Sequence, residues 1–461
     1  MGNPSIKGMA KRFLWALAGI LFGAWGLLWR RPFARRATPP LDRVGSILVI
    51  RLDLVGDVVL TLPAIDAVRR AAPQARITAL VLPYTADLLR GHPAVDRVVA
   101  VDVNRWRSPA AWLGGGAWRD FRRALRELRA ERYDLAISFY GRSGAAAALL
   151  SGARHLVGYR SEGYAFTFDT GVSGRRYLRR RHESEYCLDL VRAIGAQGPV
   201  AVARPVVDGA ASSKAEALLI AAGIGPHEKM AALHPGALTL AAKRWLPERW
   251  AAVADRVQSE LGCRMVLVGS ASERPLADQV RRAMRSQPVV LAGKTSVAEL
   301  VALLARCSLF LGGDSGPLHV ASALGIPSVS VYGPTDPAIT GPLGANARVL
   351  CSQVECSPCY DPRRPSGCTR GDLRCMDAVT VDEVFAAAKK SLTNTQPPTP
   401  NPHQEDPRRQ ARRHRRPADR LPCPGGVALC PSRGGDHGPG DPADGLDAPG
   451  CRPRRPGDGD G

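Results

Sequence analysis

Apolar positions in this chain form short runs, and a longer amphipathic stretch follows most of them. Such runs predict buried strands, and the stretches between them predict helices. The first strand is predicted at 46–51 and the last helix at 381–392, with a linker-like stretch at 195–205 that separates two series of these units. The pattern predicts an α/β fold of two doubly wound, Rossmann-like domains with mainly parallel sheets that face a cleft.

The boundaries of these elements follow from Gly, Pro and cap-type residues. Further strands are predicted at 77–82, 95–101, 135–139, 155–159, 230–234, 264–268 and 289–291. Helices are predicted at 58–71, 86–91, 118–132, 143–151, 183–194, 212–222, 247–260, 274–285 and 297–305. The predicted division is an N-terminal segment at 1–44, domains at 45–205 and 206–394, and a tail at 395–461.

The clearest single unit lies at 307–337. An apolar strand at 308–311 ends in two glycines, and Asp314 and Ser315 are residue types that cap a helix start. The helix ends near a glycine, and a second strand is predicted at 328–332. A helix start with small residues presents unpaired backbone amides, which favour an anion such as a phosphate. The alternative is an ordinary glycine-rich turn between a strand and a helix.

Both termini differ from the rest of the chain. Residues 13–29, FLWALAGILFGAWGLLW, carry no charge and lie between basic pairs, at the short limit of a membrane span. They predict a membrane-associating helix that spans or lies on the bilayer, with the basic stretch 30–43 on the cytoplasmic side. The alternative is a soluble N-terminus. The tail from 395 is rich in Pro, Gly, Arg and Asp and is predicted to be disordered.

The net charge of +21, from 63 basic and 42 acidic residues, predicts an anionic partner. Nucleic acid is disfavoured, because no basic run is interleaved with aromatics and no zinc-finger spacing occurs. The basic run at 175–181 is either a solvated loop or a surface for an acidic glycolipid. Single cysteines at 187, 263 and 307 lie in apolar contexts and indicate a reducing, cytosolic protein.

A second group of cysteines lies close together near the end of the predicted fold. Cys356 and Cys359 form a C-x-x-C pair, with Cys368 and Cys375 downstream and Cys351 just upstream. This spacing is compatible with a structural zinc site. The last pair is widely spaced for such a site, so we expect a stabilising loop or a disulfide, and no metal.

Candidate chemistry follows three predicted strands. Asp57, with Gly56, follows the first strand and suits a general base, or else caps a helix. Lys243 follows the strand at 230–234 and suits a departing diphosphate, or else belongs to an exposed basic loop. Glu273 follows the strand at 264–268, where an acid suits a ribose hydroxyl. A dinucleotide-dependent oxidoreductase is disfavoured, because no G-x-G-x-x-G follows a strand.

Three stretches together resemble glycosyltransferase family 9, the ADP-heptose:lipopolysaccharide heptosyltransferases, which have a GT-B fold. They are RLDLVGDVVLTLPAI, HPGALTLAAKRWLPERW and GGDSGPLHVASALGIPSVSVYGPTDP, and the resemblance covers about 45–392. It implies that Asp57 is the catalytic base, that Lys243 contacts the phosphates in catalysis, and that Glu273 holds the ribose. The remaining donor-site residues that it implies are Asp314, Ser315, Gly316 and His319, and Gly56 beside Asp57 is a further candidate for donor binding.

The resemblance also implies an inverting, single-displacement transfer of heptose from ADP-heptose to a lipid-linked glycan, the inner core of lipopolysaccharide. Asp57 would take a proton from the acceptor hydroxyl, and Lys243 with the helix start at 315–316 would stabilise the departing ADP. No metal and no cofactor is expected. We expect a cytoplasmic enzyme associated with the inner membrane. The alternatives are a GT-B transferase that uses another nucleotide sugar for a different surface glycan, and a non-catalytic nucleotide-sugar-binding protein.

Overall fold

The computed structural model describes residues 37–107, 111–112, 115–161, 164–174, 181–238, 240–361, 367–368 and 370–393. All of them belong to one compact unit that contains two parallel sheets of six strands each. The predictions for 13–29, for 175–180 and for the tail from 395 lie outside the described residues. Within the described part of the chain, no helix is both long enough and apolar enough to cross a bilayer.

The N-terminal half contains the first sheet, in the order β3-β2-β1-β4-β5-β6, and its strand pairs are parallel. The strands are β1 (Ser46–Arg51), β2 (Arg76–Val81), β3 (Arg97–Ala100), β4 (Leu135–Ser138), β5 (His155–Tyr159) and β6 (Thr170–Val172). The strand order reverses between β1 and β4. Ligands of doubly wound folds bind at this switch point, beyond the carboxyl ends of the strands.

The C-terminal half repeats this arrangement, with the order β12-β11-β10-β7-β8-β9 and parallel pairs. Its strands are β7 (Met230–His234), β8 (Arg264–Leu267), β9 (Val289–Val290), β10 (Leu309–Gly313), β11 (Ser328–Tyr332) and β12 (Ala347–Cys351). The second switch point therefore lies between β7 and β10. The two doubly wound sheets confirm the predicted α/β class.

The helices cover both faces of the sheets. In the N-terminal half they are α1 (Val55–Ala71), α2 (Gly116–Ala130), α3 (Gly141–Ser151) and α4 (Glu183–Arg192). In the C-terminal half they are α5 (Gly209–Ala221), α6 (Pro247–Leu261), α7 (Arg274–Ala283), α8 (Val297–Ala305), α9 (Gly316–Ala323), α10 (Pro337–Thr340), α11 (Arg374–Asp377) and α12 (Val381–Thr393). Helix α1 packs against α4 and also against α9 of the other half.

Strand β1 contributes side chains to two apolar clusters, one on each face of its sheet. Ile47 and Val49 are buried in one apolar cluster, and Leu48 and Ile50 in another. Side chains alternate between the faces of a strand, so a continuous apolar run is what a sheet covered on both faces requires. The same reasoning accounts for the fully buried pattern of β7, β10 and β11.

Some boundaries differ from the predicted ones, and one difference concerns the site. Helix α1 begins at Val55 and continues through Pro63, so it starts three residues before the predicted position. Gly56 and Asp57 therefore lie in the first turn of a helix and not in a loop. Strands β6 and β12 were not predicted, since both are partly buried edge strands with a weak apolar pattern.

Candidate active site

A cavity of about 460 Å³ lies between the carboxyl ends of the strands of the two halves. The residues that follow β1 line it from the N-terminal half, and those that follow β7, β8 and β10 line it from the C-terminal half. Every site residue that the sequence predicted lines this one cavity: Gly56, Asp57, Lys243, Glu273, Asp314, Ser315, Gly316 and His319. The cavity is thus bordered by the switch points of both sheets.

Asp57 is held by a buried arginine. Arg51 is the last residue of β1, its side chain is 2% exposed, and its Nη2 lies 3.1 Å from Oδ1 of Asp57. The same nitrogen lies 2.9 Å from Oε1 of Glu183 and 3.3 Å from Oδ2 of Asp53. Burial lowers the pKa of Arg51, but Glu183 and Asp53 raise it well above its usual value. One permanent cation therefore orients the carboxylate of Asp57, which stays 25% exposed to the cavity.

Lys243 and Asp314 form an ion pair on the opposite side of the cavity. Nζ of Lys243 donates to Oδ2 of Asp314 at 2.8 Å, and the side chains are only 12% and 7% exposed. The ring of Tyr360 lies over the same ammonium, with its centroid 5.1 Å from Nζ. The lysine predicted to neutralise a diphosphate is therefore present at the cavity, held by groups of the C-terminal half.

Glu273 lies beside His234, the last residue of β7. Its Oε2 accepts hydrogen bonds from N and Oγ of Ser270, at 3.0 and 2.8 Å. Its Oε1 lies 3.3 Å from Nε2 of His234. Burial raises the pKa of this carboxyl, but His234 and Ser270 lower it by more, so that it falls to about 2. Glu273 is thus an ionised, fixed acceptor in the cavity wall, as a ligand for hydroxyl groups requires.

The start of helix α9 faces the cavity without a side-chain cap. Ser315 is the N-cap residue, and its side chain accepts no hydrogen bond from the helix. Its Oγ lies 3.0 Å from Nδ1 of His234 instead. Amides of the first turn therefore have no side-chain acceptor here, and together with the helix dipole they favour an anion. The predicted anion-binding turn at 312–316 therefore leads into a helix start whose amides face the cavity.

His319 lies one turn into α9 and is 5% exposed. Burial lowers the pKa of its ring, although Asp314 and Asp57 raise it. A Cβ on Gly56 would lie 2.6 Å from Cδ2 of this ring. His319 is therefore a largely neutral group at the contact between α1 and α9.

Three residues of the site received no role in the sequence analysis. Arg51 and His234 are polar residues that end otherwise apolar, buried strands, and this position was the available signal. Tyr84 lines the cavity from the loop after β2, and no sequence pattern marked it. Burial, together with the charges of Asp53 and Asp57, raises the pKa of Tyr84 to about 12, so it carries its hydroxyl proton.

The cysteine group lies beside this site. Its described members at 351, 356, 359, 368 and 375 are all free thiols, so the disulfide that the sequence allowed is not formed. Among the described residues, no group of three or more His, Cys, Asp or Glu side chains is arranged to hold a metal ion. The segment is instead fixed by hydrogen bonds to the loop after β11, where N of Cys359 donates to O of Pro334 at 2.9 Å.

Comparison with known proteins agrees with this geometry. The sequence profile described as "Glycosyltransferase family 9 (heptosyltransferase)" matches residues 121–369. The chain belongs to glycosyltransferase family 9. It is therefore a glycosyltransferase, as the sequence predicted, and the non-catalytic alternative is not favoured.

Curated family 9 proteins resemble the chain over most of their length. Lipopolysaccharide heptosyltransferase 1 of Pseudomonas aeruginosa is 29% identical over 330 residues, which are 68% of this chain and 85% of that protein. Lipopolysaccharide heptosyltransferase 2 of Escherichia coli is 29% identical over 317 residues, which are 66% of this chain and 87% of that protein.

Solved family 9 structures share the fold. ADP-heptose lipopolysaccharide heptosyltransferase II of E. coli superposes with a TM-score of 0.60 at 24% identity, covering 76% of this chain and 98% of that one. A family 9 glycosyltransferase of Veillonella parvula gives 0.64 at 23% identity, covering 77% and 99%. The two facing doubly wound sheets are thus the GT-B fold of this family.

Proposed function

We propose that this family 9 enzyme transfers heptose from ADP-heptose to the inner core of lipopolysaccharide, with inversion and in a single displacement. The observation that carries the proposal is that Asp57 and Lys243 line one cavity from opposite halves of the molecule. An acceptor hydroxyl and a donor diphosphate need such an arrangement on either side of the anomeric carbon. The names of the related heptosyltransferases support heptose as the sugar.

The donor is proposed to bind in the C-terminal half. Glu273 is the acceptor for ribose hydroxyls, because its carboxylate is ionised and fixed by Ser270. The diphosphate lies at the start of α9 and at Lys243, where backbone amides and an ammonium supply positive charge. The residues proposed to contact the donor are Gly56, Lys243, Glu273, Asp314, Ser315, Gly316 and His319.

The proposed reaction moves one proton and exchanges one bond. Asp57 takes the proton of the acceptor hydroxyl, whose oxygen attacks the anomeric carbon from the face opposite the diphosphate. The new glycosidic bond forms as the bond from the anomeric carbon to the diphosphate oxygen breaks. The leaving ADP carries the electron pair of that bond, and Lys243 with the amides of α9 stabilises its charge. Arg51 orients the carboxylate of Asp57 before the transfer.

The acceptor is proposed to be a lipid-linked glycan, so the enzyme is expected to work at the cytoplasmic face of the inner membrane. The support for this is the uncharged stretch 13–29 with its basic flanks, and the excess of basic residues. The acceptor approaches the N-terminal half, where Asp57 and Tyr84 line the cavity.

The test is an ADP-release assay on the full chain, with EDTA present throughout. ADP-heptose is offered with several truncated lipopolysaccharide cores, and ADP-glucose and UDP-glucose serve as comparison donors. We expect release only with ADP-heptose and an acceptor that lacks inner-core heptose. Equal turnover with another donor would contradict the assignment of the sugar.

The role of Asp57 is tested with Asp57→Ala. We expect transfer to fall by about 100- to 10,000-fold, the usual contribution of a general base. Binding of ADP, measured by calorimetry, is expected to persist, because Asp57 belongs to the half opposite the diphosphate. Retained turnover in Asp57→Ala would remove this residue from the mechanism.

A further inference from the structure

Two groups hold the ammonium of Lys243 at the cavity wall. The first is Asp314, whose Oδ2 lies 2.8 Å from Nζ. An ammonium has three N–H donors, so a donor diphosphate binds the remaining ones while Asp314 stays in place. Tyr360 is the other described group over this ammonium, at 5.1 Å from the ring centroid.

Tyr360 lies behind the lysine and not in the cavity wall. It is partly buried and is absent from the residues that line the cavity, whereas Lys243 and Asp314 line it. A donor that occupies the cavity therefore meets the ammonium before it meets the ring. The aromatic face attracts the cation through its quadrupole, and this attraction leaves the N–H groups on the cavity side free for a ligand.

The backbone around Tyr360 is fixed firmly enough for this task. N of Tyr360 and N of Cys359 both donate to O of Pro334, at 2.8 and 2.9 Å. Oγ of Ser357 donates to O of Gly333 at 2.6 Å. The loop 333–334 follows β11, the neighbour of β10, whose end leads into Asp314.

Cys375 and Met376, farther along the chain, contact the loop after β11 and the loop that contains Lys243. A Cβ on Gly333 would lie 3.1 Å from Sγ of Cys375, so this segment packs directly on the loop after β11. Nε1 of Trp245 donates to O of Met376 at 3.1 Å, and Trp245 is 1% exposed. Trp245 follows Lys243 by two residues, so this hydrogen bond also fixes the backbone that carries Lys243.

We propose that Tyr360 is a positioning residue for Lys243, and that its ring, together with Asp314, keeps the ammonium where its remaining N–H groups meet the donor diphosphate. The proposal rests on the proposed function only in taking a diphosphate as the leaving group. It assigns the described parts of this region, 356–361 and 370–376, a task that needs neither a metal nor a disulfide: to hold an aromatic face against the lysine.

The test compares Tyr360→Leu with Tyr360→Phe, which keeps the ring and serves as the matched control. Without ligand, acylation of Lys243 by a water-soluble active ester is followed by peptide mass spectrometry. We expect Tyr360→Leu to raise the labelling rate by about 2- to 30-fold, the range that corresponds to a cation–π contact. Tyr360→Phe should stay within about twofold of wild type. Unchanged labelling in Tyr360→Leu overturns the proposal.

A second measurement shows whether Tyr360 acts through the lysine. Affinities for ADP and for inorganic pyrophosphate are measured by calorimetry in wild type, Tyr360→Leu, Lys243→Met and the double variant. We expect Tyr360→Leu to weaken both ligands by about 2- to 30-fold in the wild-type background and by nothing further in Lys243→Met. An equal loss in both backgrounds would show a merely structural role and overturn the proposal.

Two controls keep the outcomes distinct. Thermal unfolding is recorded for each variant, and Tyr360→Met replaces Tyr360→Leu if that variant does not fold. If wild type binds pyrophosphate and not ADP, the proposed donor is wrong, while the labelling and pyrophosphate measurements still decide the role of Tyr360.

Discussion

Gly56 and His319 meet across the cavity so closely that a Cβ at position 56 would lie 2.6 Å from Cδ2 of the histidine ring. Gly316 approaches from the same side, and its own Cβ would lie 3.0 Å from Cβ of Val55. Helices α1 and α9 therefore touch at their first turns because small residues stand at both. This contact sets how far Asp57 lies from the proposed diphosphate site.

Gly56→Ala is expected to separate the two halves at the site. The added methyl group forces the buried ring of His319 to move, at a cost of about 1–3 kcal/mol in the free energy of unfolding. A displacement of about 1 Å at the reacting groups lowers activity by roughly 100-fold. Urea unfolding and the ADP-release assay measure the two effects.

The matched control for this substitution is Gly209→Ala. Gly209 begins helix α5, and a Cβ there would meet nothing within 4 Å. Wild-type activity and stability are expected for this control. Wild-type activity in Gly56→Ala would show that the contact between the helices is not required.

Arg51→Met is expected to destabilise the protein strongly. Its guanidinium is the shared cation of Asp53, Asp57 and Glu183, and the glutamate side chain is 0% exposed. Removal of one partner from a buried ion pair costs about 3–5 kcal/mol, because the remaining charge has no compensation. Urea unfolding at neutral pH measures the loss.

Arg97→Met is the comparison for that variant. Arg97 also pairs with two carboxylates, those of Glu127 and Glu131, but its side chain is 30% exposed. Exposed pairs contribute about 0–1 kcal/mol, so a small loss is expected. Losses of similar size in both variants would contradict the importance that we give to burial of Arg51.

His319 is expected to make stability depend on pH. Burial lowers the pKa of its ring in the folded protein, whereas an unfolded histidine titrates near about 6.5. The unfolded state therefore binds a proton that the folded state does not. The contribution is complete above about pH 6.5 and is lost as the pH falls toward the lower folded pKa.

Urea midpoints between about pH 5 and 8 test this dependence. His319→Gln should flatten the decline on the acidic side, because the titrating group is gone. The exposed His227 provides the control, and His227→Gln should leave the profile as in wild type. A profile that His319→Gln does not change would assign the acid sensitivity to other groups.

Glu273→Gln is expected to raise the donor KM and also to lower stability at neutral pH, because the folded protein favours the ionised carboxylate beside His234. Glu273 closes a capping box with Ser270, and a glutamine serves the same box. What is lost is a charged acceptor for the ribose, worth about 1.5–3 kcal/mol, which corresponds to roughly a 10- to 100-fold rise in KM. Steady-state kinetics with varied donor measures this change.

A second capping box provides the control for Glu273. Ser296 and Glu299 form the same motif at the start of α8, and Glu299 does not line the cavity. Glu299→Gln should leave the donor KM as in wild type. If both variants raise KM equally, the effect comes from helix capping and not from the ribose.

The sequence predicted the fold class because buried parallel strands are unusually clear in a single chain. Apolar runs such as 155–159, 230–234 and 328–332 are the observed strands β5, β7 and β11 without any shift. Edge strands lack this signal, since one side of each meets solvent or a loop, and β6 and β12 were missed for that reason.

The site was predictable where chemistry coincides with a strand end. Lys243, Glu273 and Asp314 follow strands that point toward the cavity, so topology alone brings them together. Arg51 and Tyr360 act through contacts between segments distant in sequence, which no local pattern encodes. Arg51 meets Glu183 within the N-terminal half, and Tyr360 meets Lys243 within the C-terminal half, only when each half has folded.

The uncapped start of α9 has a practical consequence for work on this enzyme at the bench. Beside the ammonium of Lys243 it forms a receptor for small oxyanions, so we expect phosphate or sulfate in a buffer to compete with the donor. Kinetic constants measured in such buffers will underestimate donor affinity. Assays in zwitterionic buffers, with inorganic phosphate titrated in as an inhibitor, will report the occupancy of this receptor directly.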